Sequence, residues 1–344
     1  MGMREEMAEQ PEVLRRMLNH GFDHITNVAD VIAQREFNFA YIVARGSSDN
    51  AGLYAKYLLG AENGLAVGMA APSLWTQYHQ PPRLKNSLII AISQSGESTD
   101  LIKVLEDARR QGATTVAISN SPKSPLASAS EFVIDINAGA EHAIAATKTY
   151  TATLFALACL AAGMNKNEKL VEALQAVPDE VEAALELDAK AAQTASALRD
   201  ANYCVVIGRG YNFATAYEWA LKLKELAYIV AEPYSAADFR HGPLAIVGNG
   251  FPILGINVEG CVSQDVSVLL NEMKESKGAR IFSAGNVQQD QAVAELSLPF
   301  ACKSESTSPI AAVIPGQLLA WHLATVRGLD PNSPRGLSKV TKTS

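Results

Sequence analysis

Two stretches of the chain decide its fold, because they are two versions of one pattern. They are "YIVARGSSDNAGLYAKYLL" at Tyr41–Leu59 and "YCVVIGRGYNFATAYEWALKL" at Tyr203–Leu223. Each begins with an apolar run, turns at an Arg-Gly pair and continues as a helix-like segment rich in alanine and leucine. Arg45 of the first stretch corresponds to Arg209 of the second, an offset of 209 − 45 = 164 residues.

The same offset recurs along both halves of the chain. It places residues 90–96 ("IAISQSG") on residues 254–260 ("LGINVEG"), and it places Glu131 on Glu295. One shift without gaps over several strand-like segments indicates that the chain contains two copies of one domain.

Each copy alternates short apolar runs with helical stretches. In the first copy we expect strands at residues 40–43, 87–92, 115–118 and 132–136, and helices at residues 98–110 and 148–162. Continuously apolar strands of this kind are typical of a parallel sheet that is covered on both faces. The sequence therefore predicts an α/β fold with two tandem domains, each a doubly wound three-layer sandwich.

The remaining segments complete the predicted organisation. We expect an N-terminal helical arm at residues 1–30, a first domain at 31–164, a helical connection at 165–199 that breaks near Pro178, a second domain at 200–330 and a C-terminal tail at 331–344.

The composition limits the classes of partner that the protein can bind and the cellular compartment expected for it. The net charge is −7 and no basic block occurs, which argues against nucleic-acid binding. The four cysteines form no CxxC pattern and the six histidines are scattered, so we expect no metal, no cofactor and a cytoplasmic protein. The longest apolar run, residues 149–164, is short for a membrane span and is better interpreted as a buried helix.

Two polar loops follow predicted strands of the first copy. One contains Ser47 and Ser48, and the other runs from Ser93 to Ser98 as "SQSGES". Hydroxyls and free backbone N–H groups at the start of a helix suit a phosphate group. The alternative is that these serines are ordinary helix caps. The second copy has "NVEGC" at residues 257–261 in the matching place, so the fold itself does not require the hydroxyls.

A second candidate cluster lies in the other copy, in "KLKELAYIVAEPYSAADFRHGP". Lys222 and Glu225 are three residues apart and share a helix face. The alternative is a surface salt bridge of little consequence. The surrounding residues are apolar, however, and buried charges are costly unless they are paired or used. A carboxylate in such a place suits moving a proton to and from carbon, and His241 follows in a Gly-Pro turn.

These motifs together resemble the sugar isomerase (SIS) family. "SQSGES" and "KLKE…EPYSAADFRHGP" are similar to motifs of the isomerase halves of glucosamine-6-phosphate synthases, and "ARGSSD" resembles stand-alone glucosamine-6-phosphate deaminases of that family. The resemblance covers nearly the whole chain, from "EQPEVLRR" to "DPNSPRGLSK".

The resemblance implies roles for individual residues. Glu225 would move a proton between C1 and C2 of the sugar, with Lys222 beside it, and His241 would open the ring from the neighbouring subunit of a homodimer. Lys339 would form a Schiff base with the open-chain keto-sugar. The residues implied in binding the sugar phosphate are Ser47, Ser48, Ser93, Gln94, Ser95, Ser98 and Ile144.

The function expected from these residues is deamination of glucosamine 6-phosphate to fructose 6-phosphate. No cysteine precedes Cys159, so the glutaminase domain of the synthases is not expected in this sequence. Ala146 stands where the synthases carry a hydroxyl residue, which leaves the details of sugar recognition open. The alternatives are a fructosamine-6-phosphate deglycase, another amino-sugar-phosphate isomerase of the family, or a sugar-phosphate sensor without turnover.

Overall fold

The structure is a computed structural model that describes residues 2–339. The chain divides into two compact units. Of the described residues, the first-copy unit contains Glu12–Glu141, Lys148–Gln175, Ser338 and Lys339. The second-copy unit contains residues 2–11, His142–Thr147 and Ala176–Leu337. Residues 340–344 of the predicted tail lie outside the described residues.

The first-copy unit is built on a sheet of five parallel strands in the order β2-β1-β3-β4-β5. The strands are β1 (Phe39–Val43), β2 (Val67–Met69), β3 (Ser87–Ile92), β4 (Thr114–Ser119) and β5 (Phe132–Asp135). Every residue of β3 and β4 is buried. Strands of this kind must be covered on both faces, as the apolar residues of β3 and of the centre of β4 predict.

Helices cover both faces of this sheet. One group, α3, α4 and α8, packs together, and α6 packs with α5 and α7 over a core that includes Ile89, Leu105 and Leu126. The helices of the N-terminal half are α1 (Met3–Ala8), α2 (Gln10–Arg16), a π-helical turn (Met17–Gly21), α3 (Phe22–Ala33), α4 (Ser47–Asn63), α5 (Ser73–Thr76), α6 (Thr99–Arg110), α7 (Pro125–Ala129) and α8 (Lys148–Asn165).

The second-copy unit repeats this plan with a parallel sheet in the order β7-β6-β8-β9-β10. Its strands are β6 (Tyr203–Gly208), β7 (Val230–Ser235), β8 (Pro252–Asn257), β9 (Arg280–Gly285) and β10 (Leu296–Leu298). The helices of the C-terminal half are α9 (Glu168–Leu185), α10 (Asp188–Ala197), α11 (Asn212–Ala227), α12 (Ala236–Phe239), a 3₁₀ turn (Pro243–Ile246), α13 (Ser263–Lys277), α14 (Gln288–Val293) and α15 (Ser308–Val326).

The two sheets confirm the internal repeat and the predicted α/β class. Their strand orders are the same, and the first residues of β1 and β6, Phe39 and Tyr203, differ by 203 − 39 = 164. The first residues of β5 and β10, Phe132 and Leu296, differ by the same number, since 296 − 132 = 164.

The predicted break near Pro178 is wrong. Helix α9 runs without interruption from Glu168 to Leu185, and Pro178 lies inside it. A proline costs a helix about 3 kcal/mol or more. The apolar face of α9 offsets that cost, because Leu174, Val177 and Val181 on either side of the proline are fully buried.

Helix α15 is long and apolar enough to cross a membrane by length and composition alone. Of its 18-residue apolar window, 78% is buried inside the protein, which is typical of a core helix. The run at residues 149–164, interpreted from the sequence as a buried helix, is confirmed as the buried part of α8.

Close packing of α15 on α11 leads to a prediction at Gly316. A Cβ atom added at this glycine would overlap the indole ring of Trp219, whose Nε1–H donates to the carbonyl of Ala312 at 2.9 Å. Replacing a mid-helix glycine by alanine ordinarily stabilises a helix by about 1 kcal/mol. Here the overlap dominates, so we expect Gly316→Ala to lower the free energy of unfolding by about 1–3 kcal/mol.

Urea unfolding followed by circular dichroism measures this change. The matched control is Gly60→Ala in α4, where an added Cβ meets only the carbonyl of Leu65 at an ordinary 3.7 Å. The control should unfold at an equal or higher urea concentration than the unmodified protein. An equal gain in both variants would contradict the proposed overlap.

Candidate active site

The first-copy sheet places the two serine loops on either side of its switch point. Strand order reverses between β1 and β3, and ligands of open parallel sheets bind beyond the carboxyl ends of the strands at such a point. Ser47 and Ser48 follow β1, and the loop from Ser93 to Ser98 follows β3. The topology therefore brings both predicted phosphate loops to the same edge of the sheet.

The loop from Ser93 to Ser98 is held by its own serines. Ser93 Oγ accepts from the backbone N–H of Gly96 at 3.2 Å and lies 3.5 Å from Ser98 Oγ. Ser95 Oγ accepts from the backbone N–H of Glu97 at 3.3 Å. Ser98 is the N-cap residue of α6, but its side chain makes no capping hydrogen bond. Helix capping alone therefore does not account for this hydroxyl.

Two glycines give these loops their shape. Gly46 (φ +56°) is the N-cap residue of α4, and Gly96 has φ +67° with its Cα facing Ser124, whose Oγ a Cβ would overlap. A positive φ is costly for any residue with a Cβ. The backbone can consequently turn tightly at both loops.

An ion pair connects the two loops. Arg45, just before the first loop, donates from Nε at 3.0 Å and from Nη2 at 2.8 Å to Asp100 Oδ2, at the start of α6. Asp100 is buried, while Arg45 is half-exposed. A carboxylate that accepts two guanidinium hydrogen bonds is a geometrically fixed anchor. The pair thus fixes the separation of the loops.

The second-copy unit carries a cluster of three charged side chains on α11. Lys222 Nζ lies 2.6 Å from Glu225 Oε2 and 3.3 Å from Glu218 Oε1. The side chain of Lys222 is 1% exposed and that of Glu218 is 0% exposed, whereas Glu225 is 22% exposed. Lys222 and Glu225 share a helix face, and the burial of Lys222 excludes an exposed surface salt bridge. Glu225 is the member of the cluster that solvent reaches.

The charge of Lys222 is fixed by its neighbours. Burial lowers the pKa of the Lys222 ammonium, but the nearby carboxylates of Glu218 and Glu225 outweigh burial and raise that pKa above its ordinary value. Lys222 is therefore a permanent cation at neutral pH, not an amine nucleophile. A cation in this place can stabilise negative charge on Glu225 or on a bound reactant.

His241 lies at the rim of a separate cavity of the second-copy unit. The cavity has a volume of about 340 Å³ and its lining includes the cationic side chains of Arg209 and Arg240. The imidazole is exposed and makes no hydrogen bond within residues 2–339. The structure does not bring His241 into contact with Lys222 or Glu225.

Ile144 lies in a short segment that the N-terminal arm holds in place. The buried carboxylate of Glu6 accepts from the backbone N–H of His142 at 2.5 Å and of Ala143 at 3.1 Å. Two hydrogen bonds to an ionised acceptor are strong enough to fix a loop. Half-buried Ile144 follows directly, so its position depends on Glu6.

Lys339 contacts a buried carboxylate of the first-copy unit. Its Nζ lies 2.7 Å from Glu141 Oε2, although 198 residues separate the two in sequence. Glu141 is 0% exposed and Lys339 is 25% exposed. Glu141 also accepts from the backbone N–H of Thr149 at 3.2 Å and from its hydroxyl at 2.7 Å. The tail lysine is therefore held by a defined contact.

Sequence reasoning missed three carboxylates that support these residues. Glu218 carried a usable signal, because it precedes Lys222 by four residues and so shares its helix face. The contacts of Glu6 with His142 and of Glu141 with Lys339 each span more than 100 residues, and no local sequence pattern predicts such contacts. Within residues 2–339 no group of three or more His, Cys, Asp or Glu side chains is arranged to hold a metal ion.

Comparison with protein families and with known sequences gives concordant results. Residues 36–163 and 197–327 each match the SIS domain. The chain is 35% identical over 347 residues to the glutamine–fructose-6-phosphate aminotransferase (isomerizing) of Thermococcus kodakarensis. This match covers 98% of the chain and 57% of the relative, so the chain spans little more than half the length of that enzyme.

Two solved structures share the whole fold. A protein from Silicibacter pomeroyi DSS-3, whose assignment as a phosphosugar isomerase is provisional, is 33% identical with a TM-score of 0.87 over 96% of this chain and 100% of its own. The C-terminal domain of glucosamine-fructose-6-phosphate aminotransferase from Francisella tularensis is 28% identical with a TM-score of 0.87, covering 96% of this chain and 98% of its own.

Proposed function

Because the chain belongs to the SIS domain family, with both copies matching, we propose that it converts glucosamine 6-phosphate into fructose 6-phosphate and ammonia. The observation that carries this proposal is the cluster on α11. A partly exposed carboxylate, Glu225, is held at 2.6 Å by the buried cation Lys222. Such a carboxylate suits proton transfer at carbon, which is the central step of an aldose–ketose isomerisation.

The serine loops are proposed to hold the phosphate group. Ser47, Ser48 and the residues Ser93, Gln94, Ser95 and Ser98 flank the switch point of the first-copy sheet, where parallel sheets bind ligands. Hydroxyls and backbone N–H groups are neutral donors, and together they can form several hydrogen bonds to a phosphate without a cationic side chain. Ile144, held by Glu6, is proposed to contact the sugar.

The proposed reaction begins with ring opening. His241, exposed and without an internal hydrogen-bond partner in the described chain, takes a proton from the ring hydroxyl and returns it to the ring oxygen. We propose, from the family resemblance, that it does so in the site of the partner subunit of a homodimer. The product of this step is the open-chain aldehyde, whose carbonyl at C1 acidifies the proton on C2.

Proton transfer between two carbons follows. Glu225 takes the proton from C2, and Lys222 stabilises the negative charge that spreads over the enolamine. Glu225 then returns the proton to C1, and a proton passes from the amino nitrogen to the oxygen on C1, which leaves a hydroxyl at C1 and an imine at C2. Water, or the amine of Lys339 by exchange, adds to this imine and releases ammonia. The chemistry requires no electron acceptor, because the substrate's own carbonyl stabilises the carbanion.

The direct test is the release of ammonia and fructose 6-phosphate from glucosamine 6-phosphate by the purified protein without glutamine. We expect both products in equal amounts, measured by coupled assays for each. Binding without turnover of glucosamine 6-phosphate or fructosamine adducts would contradict the proposal in favour of a sensor. Turnover of a phosphorylated fructosamine adduct alone would contradict it in favour of a deglycase.

A further inference from the structure

Glu141 is a buried carboxylate that the reaction proposed above does not use. It lies against the ammonium of Lys339 at 2.7 Å, and Thr149 donates to it twice. The carboxylate is 0% exposed. A buried carboxylate is costly unless it is paired or hydrogen-bonded, and these contacts with Lys339 and Thr149 offset that cost.

The internal repeat shows that pairing with a lysine is not what the fold requires at this place. The offset of 164 residues relates Glu141 to Glu305 of the second copy, since 305 − 141 = 164. Glu305 Oε2 accepts from the backbone N–H of Cys261 at 2.9 Å and so ties down a loop. A neutral N–H satisfies the second-copy glutamate, whereas the first-copy glutamate holds a charged amine.

The contact between Lys339 and Glu141 matters for the reaction because Lys339 must lose a proton before it can act as a nucleophile. An ammonium has no lone pair, so Lys339 can attack a carbonyl only after it has transferred a proton to a base. Glu141 is in hydrogen-bond contact with Nζ and is shielded from water, which are the geometric requirements for that base. We propose that Glu141 holds Lys339 in position and takes its proton when the amine attacks the keto carbon of the sugar phosphate.

Glu141 accepts and returns each proton that moves in this step, so it ends the step as a carboxylate. The ammonium gives a proton to the carboxylate, and the amine lone pair forms a bond to the keto carbon while the carbonyl electrons move to oxygen. That oxygen takes the proton from Glu141, and a second proton follows the same route from nitrogen. The oxygen leaves as water, Lys339 becomes a protonated Schiff base, and the restored Glu141 carboxylate is its counter-ion.

This inference rests on the proposed function only in giving Lys339 the C2 carbon of an open-chain sugar phosphate to attack. That carbon is an imine during deamination and a carbonyl when fructose 6-phosphate is the reactant. It is tested with fructose 6-phosphate alone, by reducing the Schiff base with borohydride and measuring the adduct on Lys339 by mass spectrometry. We expect Glu141→Gln to slow adduct formation about 100-fold at neutral pH, within the range for general base catalysis. The rate should recover as pH rises, because solvent base then removes the proton.

Three further variants separate this role from a structural one. Glu305→Gln changes the equivalent residue of the second copy and should form adduct at the unmodified rate. Thr149→Val removes one donor to Glu141 but keeps its charge, and should slow the reaction far less than Glu141→Gln. Lys339→Arg should form no adduct. These four proteins must keep the circular dichroism spectrum of the unmodified protein.

The outcomes distinguish failure of this inference from failure of the proposed function. An unchanged or faster adduct rate in Glu141→Gln at neutral pH overturns the inference, even where ammonia release from glucosamine 6-phosphate is normal. The absence of any adduct on Lys339 in the unmodified protein overturns it as well. Adduct formation that depends on Glu141 supports the inference, and it does so even where glucosamine 6-phosphate is not deaminated.

Discussion

Glu225→Gln is expected to reduce turnover of glucosamine 6-phosphate about 10³-fold while leaving sugar-phosphate binding within about threefold. The amide cannot accept a proton from carbon, and a positioned general base contributes about 10²–10⁴-fold to a rate. Glutamine keeps the size of the side chain and an oxygen acceptor toward Lys222, which now lies 2.6 Å from the carboxylate. Steady-state kinetics and calorimetry with fructose 6-phosphate measure the two quantities.

Exchange of the C1 proton of fructose 6-phosphate with deuterated water isolates the step assigned to Glu225. The variant should lose this exchange as completely as it loses turnover. The matched control is Glu232→Gln, a change of an exposed glutamate on β7 of the same unit, which should leave both rates unchanged. Exchange at more than a tenth of the normal rate in Glu225→Gln would show that another group transfers the proton.

The strands and the repeat were predictable because they depend on local composition. A buried parallel strand needs apolar residues on both faces, so β3 is apolar from Leu88 to Ile92 and the centre of β4 is apolar from Val116 to Ile118. The helix break predicted at Pro178 was wrong because the outcome there depends on residues that are distant in sequence. The free-energy cost of a proline inside α9 is offset by packing, since the neighbouring residues Val177 and Val181 are fully buried.

The candidate site was predictable only where its residues are close in sequence. Lys222 and Glu225 are three residues apart, and the helix brings them to 2.6 Å. The contact between Lys339 and Glu141 spans 198 residues and depends on where the tail returns to the fold. A charged residue near a chain end carries no local signal of its partner. The role predicted for Lys339 therefore rested on the family resemblance alone.

Lys222→Met is expected to lower the free energy of unfolding by about 3–5 kcal/mol, in addition to abolishing turnover. The change keeps the length of the side chain but removes the cation 3.3 Å from Glu218, a carboxylate with no exposed surface. Breaking a buried ion pair from one side costs about this much, because the remaining charge stays buried without the attraction of the opposite charge. Urea unfolding at pH 8 measures the loss.

The pH dependence of that loss identifies its cause. Without Lys222 the buried carboxylate of Glu218 loses the attraction of that cation, and taking a proton relieves the cost. The stability gap between Lys222→Met and the unmodified protein should therefore narrow as pH falls from 8 toward 5. A gap that is the same at both pH values would point to lost packing instead of lost charge.

A double variant separates stability from catalysis in the same cluster. Glu218→Gln combined with Lys222→Met removes both fully buried charges and leaves Glu225, which is 22% exposed and remains solvated. Neutralising both partners of a buried pair is often neutral or stabilising, so most of the lost free energy of unfolding should return. Turnover should not return, because Glu225 still lacks its cation. Recovery of activity along with stability would mean that Lys222 serves the fold and not the reaction.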